Sequence, residues 1–313
     1  MPEETAKHWS QKTESGAYWG MFFMLWSYRI LGKRIIKIFL FPVMCYFFIV
    51  NTSARNASIK YLSKVHHVTG KRPPTIINRF GHFWAFGNSL IDRLGAWTGQ
   101  IKRSDVIFEK RQLLLDMIEN NKGAVLITAH LGNIEMCRAL AENTQQININ
   151  VLVYTHHSPS FNRLLKSINK NESVNLIQLT EISPNTIERL ENKINAGELV
   201  IIAADRTSAN SPDRVCQVNF LGEAANFPQG PFILASLLKC PVALLFCIKR
   251  NGRHEIQLEE FANPLELPRS QRKQRIQATV ENFASRLEYY CKVAPNQWFN
   301  FYDFWKKTNE KNK

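Results

Sequence analysis

The sequence lacks the cysteine spacing of a metal or disulfide protein. Cys45, Cys137, Cys216, Cys240, Cys247 and Cys291 include no CxxC pair, and most sit in apolar runs such as VALLFCIK. They read as buried free thiols of a reducing compartment. A P-loop and a G-x-G-x-x-G are missing, which removes support for nucleotide-driven chemistry. So is G-x-S-x-G, which argues against a nucleophile-elbow hydrolase, and so is H-E-x-x-H. The adjacent pairs His66-His67 and His156-His157 are poor chelators, because neighbours on a strand point to opposite faces; they read as surface residues, and no metal is expected. Glycine (14) and proline (13) are no more than average in 313 residues, which excludes collagen-like and low-complexity architecture. A transmembrane helix needs about 20 apolar residues. The most apolar stretch, Ile35–Val50 (IIKIFLFPVMCYFFIV), has 16 and carries Lys37 and Pro42.

Negative charge is also missing from a long segment. Between Ser15 and Ile91 there is no Asp or Glu, against ten Lys and Arg; from Asp92 onward there are 28 basic and 23 acidic residues. Nine of the net +14 charges therefore fall in the first 91 residues, among many Trp, Phe and Tyr. A signal peptide would be followed by small residues at a cleavage site, and NTSARN is a poor one. The pattern predicts an interfacial helical region with an apolar-aromatic face and a basic rim, attracted to anionic lipid. A single span and a soluble hydrophobic helix are the alternatives. Nucleic acid, the other usual partner of basic patches, has no use for the long aliphatic runs and is not an expected partner. At 45% hydrophobic and 21% charged, the chain as a whole is too apolar for disorder and too mixed for a polytopic membrane protein.

Residues 17–98 read as helices throughout, with Ile76–Trp97 one of them. From about residue 109 the texture changes. Short apolar runs with strand character are AVLITAH (Ala124–His130), INVLVYT (Ile149–Thr155), NLIQL (Asn175–Leu179) and ELVIIAAD (Glu198–Asp205). Helical patterns lie at Glu109–Asn120, Ile134–Ala141, Phe161–Ile168, Asn185–Asn195, Pro228–Leu238 and Gln271–Tyr290. Asn251-Gly252 joins PVALLFCIKR to HEIQLEEF as a hairpin signal. Strands alternating with helices predict an α/β fold: a mostly parallel central sheet flanked by helices, with a helical, basic and hydrophobic N-terminal region. Residues 1–100 form that membrane-associating region and residues 101–313 the α/β domain, as one continuous fold.

Two polar groups end buried strands, where open α/β sheets place their ligands. The first is His130-Leu131-Gly132-Asn133-Ile134-Glu135. Glu135, in the first helical turn, could reach back to one imidazole nitrogen and leave the other as a general base on a substrate hydroxyl. The alternative is a capping His130 and a solvated Glu135. The second is Asp205-Arg206. Asp205 could orient a substrate or a loop and Arg206 could meet a phosphate or carboxylate, or the two could simply close a loop by a local salt bridge.

HLGNIE resembles the H-x4-D/E motif of the lysophospholipid acyltransferase superfamily, in the H-x-G-N-x-E form of the late acyltransferases of bacterial lipid A biosynthesis (lauroyl/myristoyl type). Asp205-Arg206 falls about seventy residues later, where that family has a strand-end Asp, and Val218–Val242 is similar to its F-G-x-x-a-x-f-P-x-G-x-x-x-L-A block. The basic N-terminus and the tail Ala294–Trp305 (APNQWFNFYDFW) match in placement. The resemblance covers roughly residues 20–305. It implies O-acyl transfer from an acyl carrier protein thioester, or acyl-CoA, to a hydroxyl of a lipid or lipid-like acceptor. His130 would be the base and Glu135 its orienting carboxylate. Substrate would be met by Asp205, Arg206 and the Gly132-Asn133 turn, whose N–H groups are candidate oxyanion donors. No cofactor, metal or covalent intermediate is implied. The expected partners, carrier protein and anionic membrane lipid, are acidic and suit the chain's charge. The expected place is the cytoplasmic face of the bacterial inner membrane, held peripherally, monotopically or by one N-terminal anchor. A lysophospholipid or glycerolipid acyltransferase with the same dyad, and a non-catalytic lipid-binding protein, are the rival readings. The chain departs from the lipid A pattern in two places. SINKNESVNL has no Arg where the family has one, so that Arg163 is the nearest match. The tail reads WFNFYDFW and not W-x-H-R-R-F-K. Both lie where an acceptor phosphate or sugar would be read, and they point to a relative with another acceptor.

Overall fold

The computed structural model describes residues 17–97, 100–101, 103–118, 123–137, 148–153, 174–178, 183–207 and 213–305. The basic N-terminal segment is three helices: α1 (Ala17–Val50), α2 (Thr52–Val68) and α3 (Ile76–Trp97). The first breaks at Gly32, whose φ of 73° and ψ of 170° are open to glycine alone. Beyond the break Ile36, Leu40 and Met44, spaced by four, bury one stripe against Phe83, Ile91 and Leu94 of α3. The helices approach closely at Gly87, where a Cβ would lie 2.9 Å from the Met44 sulfur. Arg55 of α2 donates to the carbonyls of Phe48 and Ile49, two of the orphan acceptors at the end of α1.

The other face of α1 is bare. Ile35, Ile38, Phe39, Phe41, Val43, Tyr46, Phe47, Ile49 and Val50 are all exposed, and Ile76 and Ile77 at the start of α3 join them. Among the described residues no single helix is long and apolar enough to cross a membrane. Ile35–Val50 and Thr52–Val68 meet that criterion only as a pair, bent by 90°.

The α/β part is a seven-stranded sheet in the order β1-β9-β8-β2-β5-β3-β4. Its strands are β1 (Val106–Ile107), β2 (Val125–Thr128), β3 (Ile149–Val153), β4 (Val174–Gln178), β5 (Leu199–Ala203), β8 (Val242–Arg250) and β9 (Arg253–Ala262). All neighbours are parallel except β8 and β9, which pair antiparallel across Asn251-Gly252. Both turn residues have positive φ (49° and 80°), as a type I′ hairpin turn requires. The central strands alternate between two cores. Val125, Ile127, Val200, Ile202 and Phe246 face one, and Leu126, Leu199, Ile201 and Leu245 the other. Both faces are covered, so these strands are apolar throughout.

The covering helices are α4 (Arg111–Ile118), α5 (Pro184–Asn195), α6 (Gly230–Leu237) and α7 (Arg272–Val293). The α5 helix starts where Ser183 Oγ accepts the Thr186 N–H. In three places the fold differs from the sequence reading or lies outside it. The stretch around Phe220 forms a separate antiparallel pair, β6 (Val215–Phe220) and β7 (Glu223–Pro228), which the sequence reading did not assign. The helix expected from Ile134 is a 3-10 turn, Ile134–Cys137, in its described part. The helix expected at Phe161–Ile168 lies outside the described residues.

One buried carboxylate ties the helical region to the sheet. Asp92 of α3 meets Lys33 of α1 at 2.7 Å, Lys249 of β8 at 2.5 Å and His254 of β9 at 3.4 Å. Burial alone would raise its carboxyl; the hydrogen bonds from His254, Lys249 and Lys33 hold it well below the usual range.

Candidate active site

The sheet brings the two strand-end groups together. β2 and β5 are parallel neighbours with Thr128 opposite Ala203, and the Ala204 N–H continues the ladder to the Thr128 carbonyl at 2.8 Å. Two residues past each of these positions stand His130 and Asp205. Equal offsets from a shared register place them side by side at the carboxyl edge of the sheet. His130 Nδ1 lies 2.8 Å from Asp205 Oδ1, and the His130 N–H donates to Oδ2 at 2.9 Å.

Asp205 is 2% exposed. Burial pushes its carboxyl up. The charge and hydrogen bond of His130, the charge of Arg206 and the Trp298 indole outweigh that and bring it down to about 2. The carboxylate is therefore ionised and accepts only, so Nδ1 carries the proton and Nε2 the lone pair. The His130 side chain is 37% exposed, and Nε2 makes no hydrogen bond among the described residues. A carboxylate behind, a fixed tautomer and a lone pair in front are the arrangement that general-base chemistry requires.

The C-terminal segment walls this pair. Leu131 and Trp298 form an antiparallel bridge. The Gly132 N–H donates to the Gln297 carbonyl at 2.7 Å, and the Phe299 N–H to the His130 carbonyl at 2.9 Å. Trp298 Nε1 donates to Asp205 Oδ2 at 2.9 Å. Tyr302 OH donates to the Asp205 carbonyl, and the Arg206 guanidinium sits over the Tyr302 ring. From α3, His82 Nε2 donates to the Trp298 carbonyl at 2.9 Å, while Nδ1 accepts from Ser58 Oγ. Burial lowers this imidazole to about 4 and keeps it neutral.

The remaining residues of the motif divide between architecture and charge. Gly132 has φ 71°, and a Cβ there would fall 1.8 Å from the Cys247 carbonyl oxygen, so the turn can press against β8 only as glycine. Gly132 and Asn133 were expected to offer N–H groups to an oxyanion. Those groups are bonded instead to Gln297 O and Cys247 O. Asn133 is buried and its amide donates to Ser89 O of α3. The carboxylate at the imidazole Nδ1, a role the sequence suggested for Glu135, is that of Asp205. Glu135 is half-buried and lies in the field of Arg93, one helical turn beyond Ser89 on α3. Burial lowers the Arg93 guanidinium, Glu135 offsets this, and Arg206 adds to the lowering. Among the described residues, Arg93 Nε is buried without a hydrogen-bond partner. Arg163 lies outside the described residues. Trp298 and Arg93 carry no motif of their own in the sequence, although Trp298 stands inside the tail block that matches the family. Among the described residues no three His, Cys, Asp or Glu side chains converge on a metal position.

The family profile described as bacterial lipid A biosynthesis acyltransferase matches residues 76–307. The chain belongs to this family. The match begins at the first residue of α3 and runs through the C-terminal segment, so it contains His130, Glu135, Asp205 and Trp298. No curated protein matches the chain. Membership makes the chain an acyl-transferring enzyme.

Proposed function

We propose that this acyltransferase moves a fatty acyl chain from an acyl carrier protein thioester to a hydroxyl of a membrane lipid, with His130 as general base. The observation that carries the reading is the 2.8 Å pair of His130 Nδ1 and buried Asp205, which leaves Nε2 as the basic atom at the sheet edge. Nε2 takes the proton of the acceptor hydroxyl as its oxygen attacks the thioester carbonyl. That attack forms the C–O bond of the new ester, the C–S bond then breaks as the tetrahedral intermediate collapses, and the leaving thiolate takes the proton back from the imidazolium. Asp205 fixes the tautomer and stabilises the imidazolium. Arg93 and Arg206 give the site a positive field that suits an acidic acceptor and the negative charge of the tetrahedral intermediate.

The bare apolar face of α1 and the start of α3, set in a segment without acidic residues, supports docking on an anionic membrane surface. Ser89, Asn133 and Arg93 link that same helix pair to the motif loop, so an acceptor would reach His130 from the membrane side.

The test is transfer of labelled acyl groups from a panel of carrier-protein and CoA thioesters to lipids extracted from bacterial inner membrane. Labelled lipid from a carrier-protein donor supports the reading, and the product names the acceptor. Labelling from CoA onto lysophospholipid alone would favour the glycerolipid alternative. No labelling with any donor would contradict the proposal.

A further inference from the structure

We propose that Trp298 is a positioning residue for the His130–Asp205 pair, acting through its indole N–H on Asp205 Oδ2. The inference rests on the reading of His130 as base. A carboxylate can turn about its Cβ–Cγ bond, so holding Oδ1 on the imidazole requires that Oδ2 be held elsewhere. Two donors hold it: the His130 N–H at 2.9 Å and Trp298 Nε1 at 2.9 Å. The first moves with His130 itself. The second comes from a separate part of the chain and gives the pair an external reference.

That reference is fixed at both ends. The Trp298 side chain is fully buried, and its ring meets Tyr61, Phe220 and Phe304 edge-on at centroid distances of 5.0, 5.3 and 5.0 Å. Its backbone bridges to Leu131, and its carbonyl takes the His82 N–H. Trp305 in the same aromatic cluster sends its N–H to a backbone carbonyl, that of Phe220, which is ordinary satisfaction of a buried donor. Trp298 alone of the two aims at an ionised side chain, and a bond to a charged acceptor is among the stronger ones a side chain makes. The other titratable or charged groups facing Asp205 are His130, Arg206, Tyr302 and Cys291.

The experiment replaces Trp298 by its benzothienyl isostere, which has sulfur in place of N–H and the same shape, beside Trp298→Phe and His130→Ala. Rates of acyl transfer are measured against pH, with KM for the donor and the melting temperature of each variant. The isostere should fold like the wild type and keep its KM. It should lose about tenfold in kcat, the scale of one hydrogen bond to a charge. The acid limb of its pH–rate profile should move up by about half a pH unit, because a carboxylate with one donor fewer holds the imidazolium more strongly. A loss of rate with an unmoved acid limb would assign Trp298 to packing alone and overturn the inference. So would an isostere with wild-type kcat while His130→Ala is inactive. Activity surviving in His130→Ala would overturn the base reading itself, and this inference with it.

Discussion

Asp205→Asn separates tautomer control from mere folding. The asparagine amide can sit in two orientations. With its oxygen in the place of Oδ2 it still accepts the His130 N–H and the Trp298 indole, and its NH2 then faces Nδ1. Nδ1 must become the acceptor and the proton moves to Nε2, where the base needs its lone pair. Turned the other way, the amide keeps the right tautomer but sets its NH2 against two buried N–H donors, at about 1–3 kcal/mol for each donor left unsatisfied. The first orientation wins, so the variant folds and loses rate. The expected fall in kcat is about 10³–10⁴-fold, the scale seen when a base is locked in the wrong tautomer. At 1.36 kcal/mol per factor of ten, that is about 4–5.5 kcal/mol of transition-state stabilisation. The assay is single-turnover acyl transfer, with circular dichroism to confirm the fold and Glu135→Gln measured in parallel. A folded Asp205→Asn variant within tenfold of wild type would refute the assignment. So would a Glu135→Gln variant that falls further, because Glu135 would then be the orienting carboxylate.

Gly132→Ala puts a Cβ against the Cys247 carbonyl at a positive φ, and should cost on the order of 3 kcal/mol or more in urea unfolding; a cost near zero would show that the turn has room. His82 is neutral in the fold, with its value lowered from 6.5 to about 4, so the unfolded chain takes up the proton first as pH falls. Its stabilising contribution is whole above pH 6.5 and is lost between 6.5 and 4, about 3 kcal/mol in all. Chemical denaturation across that range should show this loss in the wild type and not in His82→Gln; equal slopes would contradict it. Ile38→Glu combined with Phe47→Glu changes two exposed side chains, and should weaken sedimentation with anionic phospholipid vesicles by about tenfold or more while leaving the melting temperature in place. Unchanged vesicle binding would mean that the apolar face serves another partner.

Much of the fold was legible because the strands are continuous apolar runs and the helices carry their own punctuation. Ser183-Pro184 opens α5, Gly197 follows it, and Asn251-Gly252 turns the hairpin. The β6–β7 pair was not read, because VCQVNF and EAANFP are short and polar on one side, and they pair only with each other. The site was half legible. His130 and Asp205 each stood out as a polar residue ending an apolar strand, but their pairing depends on β2 lying beside β5 with Thr128 opposite Ala203. Strand order is a property of the packed sheet and is written in no local spacing. Glu135 was the natural partner from sequence because five residues is a short span, whereas seventy-five residues separate His130 from Asp205. Trp298 was invisible for the same reason, and its N–H matters only once the tail has folded back along Leu131. Arg93 lies on a helix whose other polar residues face solvent or buried partners, so nothing in its spacing marked it.

If His130, held by Asp205, is the base for ester formation, removing its imidazole must abolish transfer. The most direct measurement is acyl transfer by wild type and His130→Ala with one carrier-protein donor and inner-membrane lipid, followed by mild alkaline treatment of the product. The wild type should give labelled lipid that releases its acyl chain in alkali as an ester does, and the variant should lose about 10²-fold or more. Equal labelling by His130→Ala would contradict it.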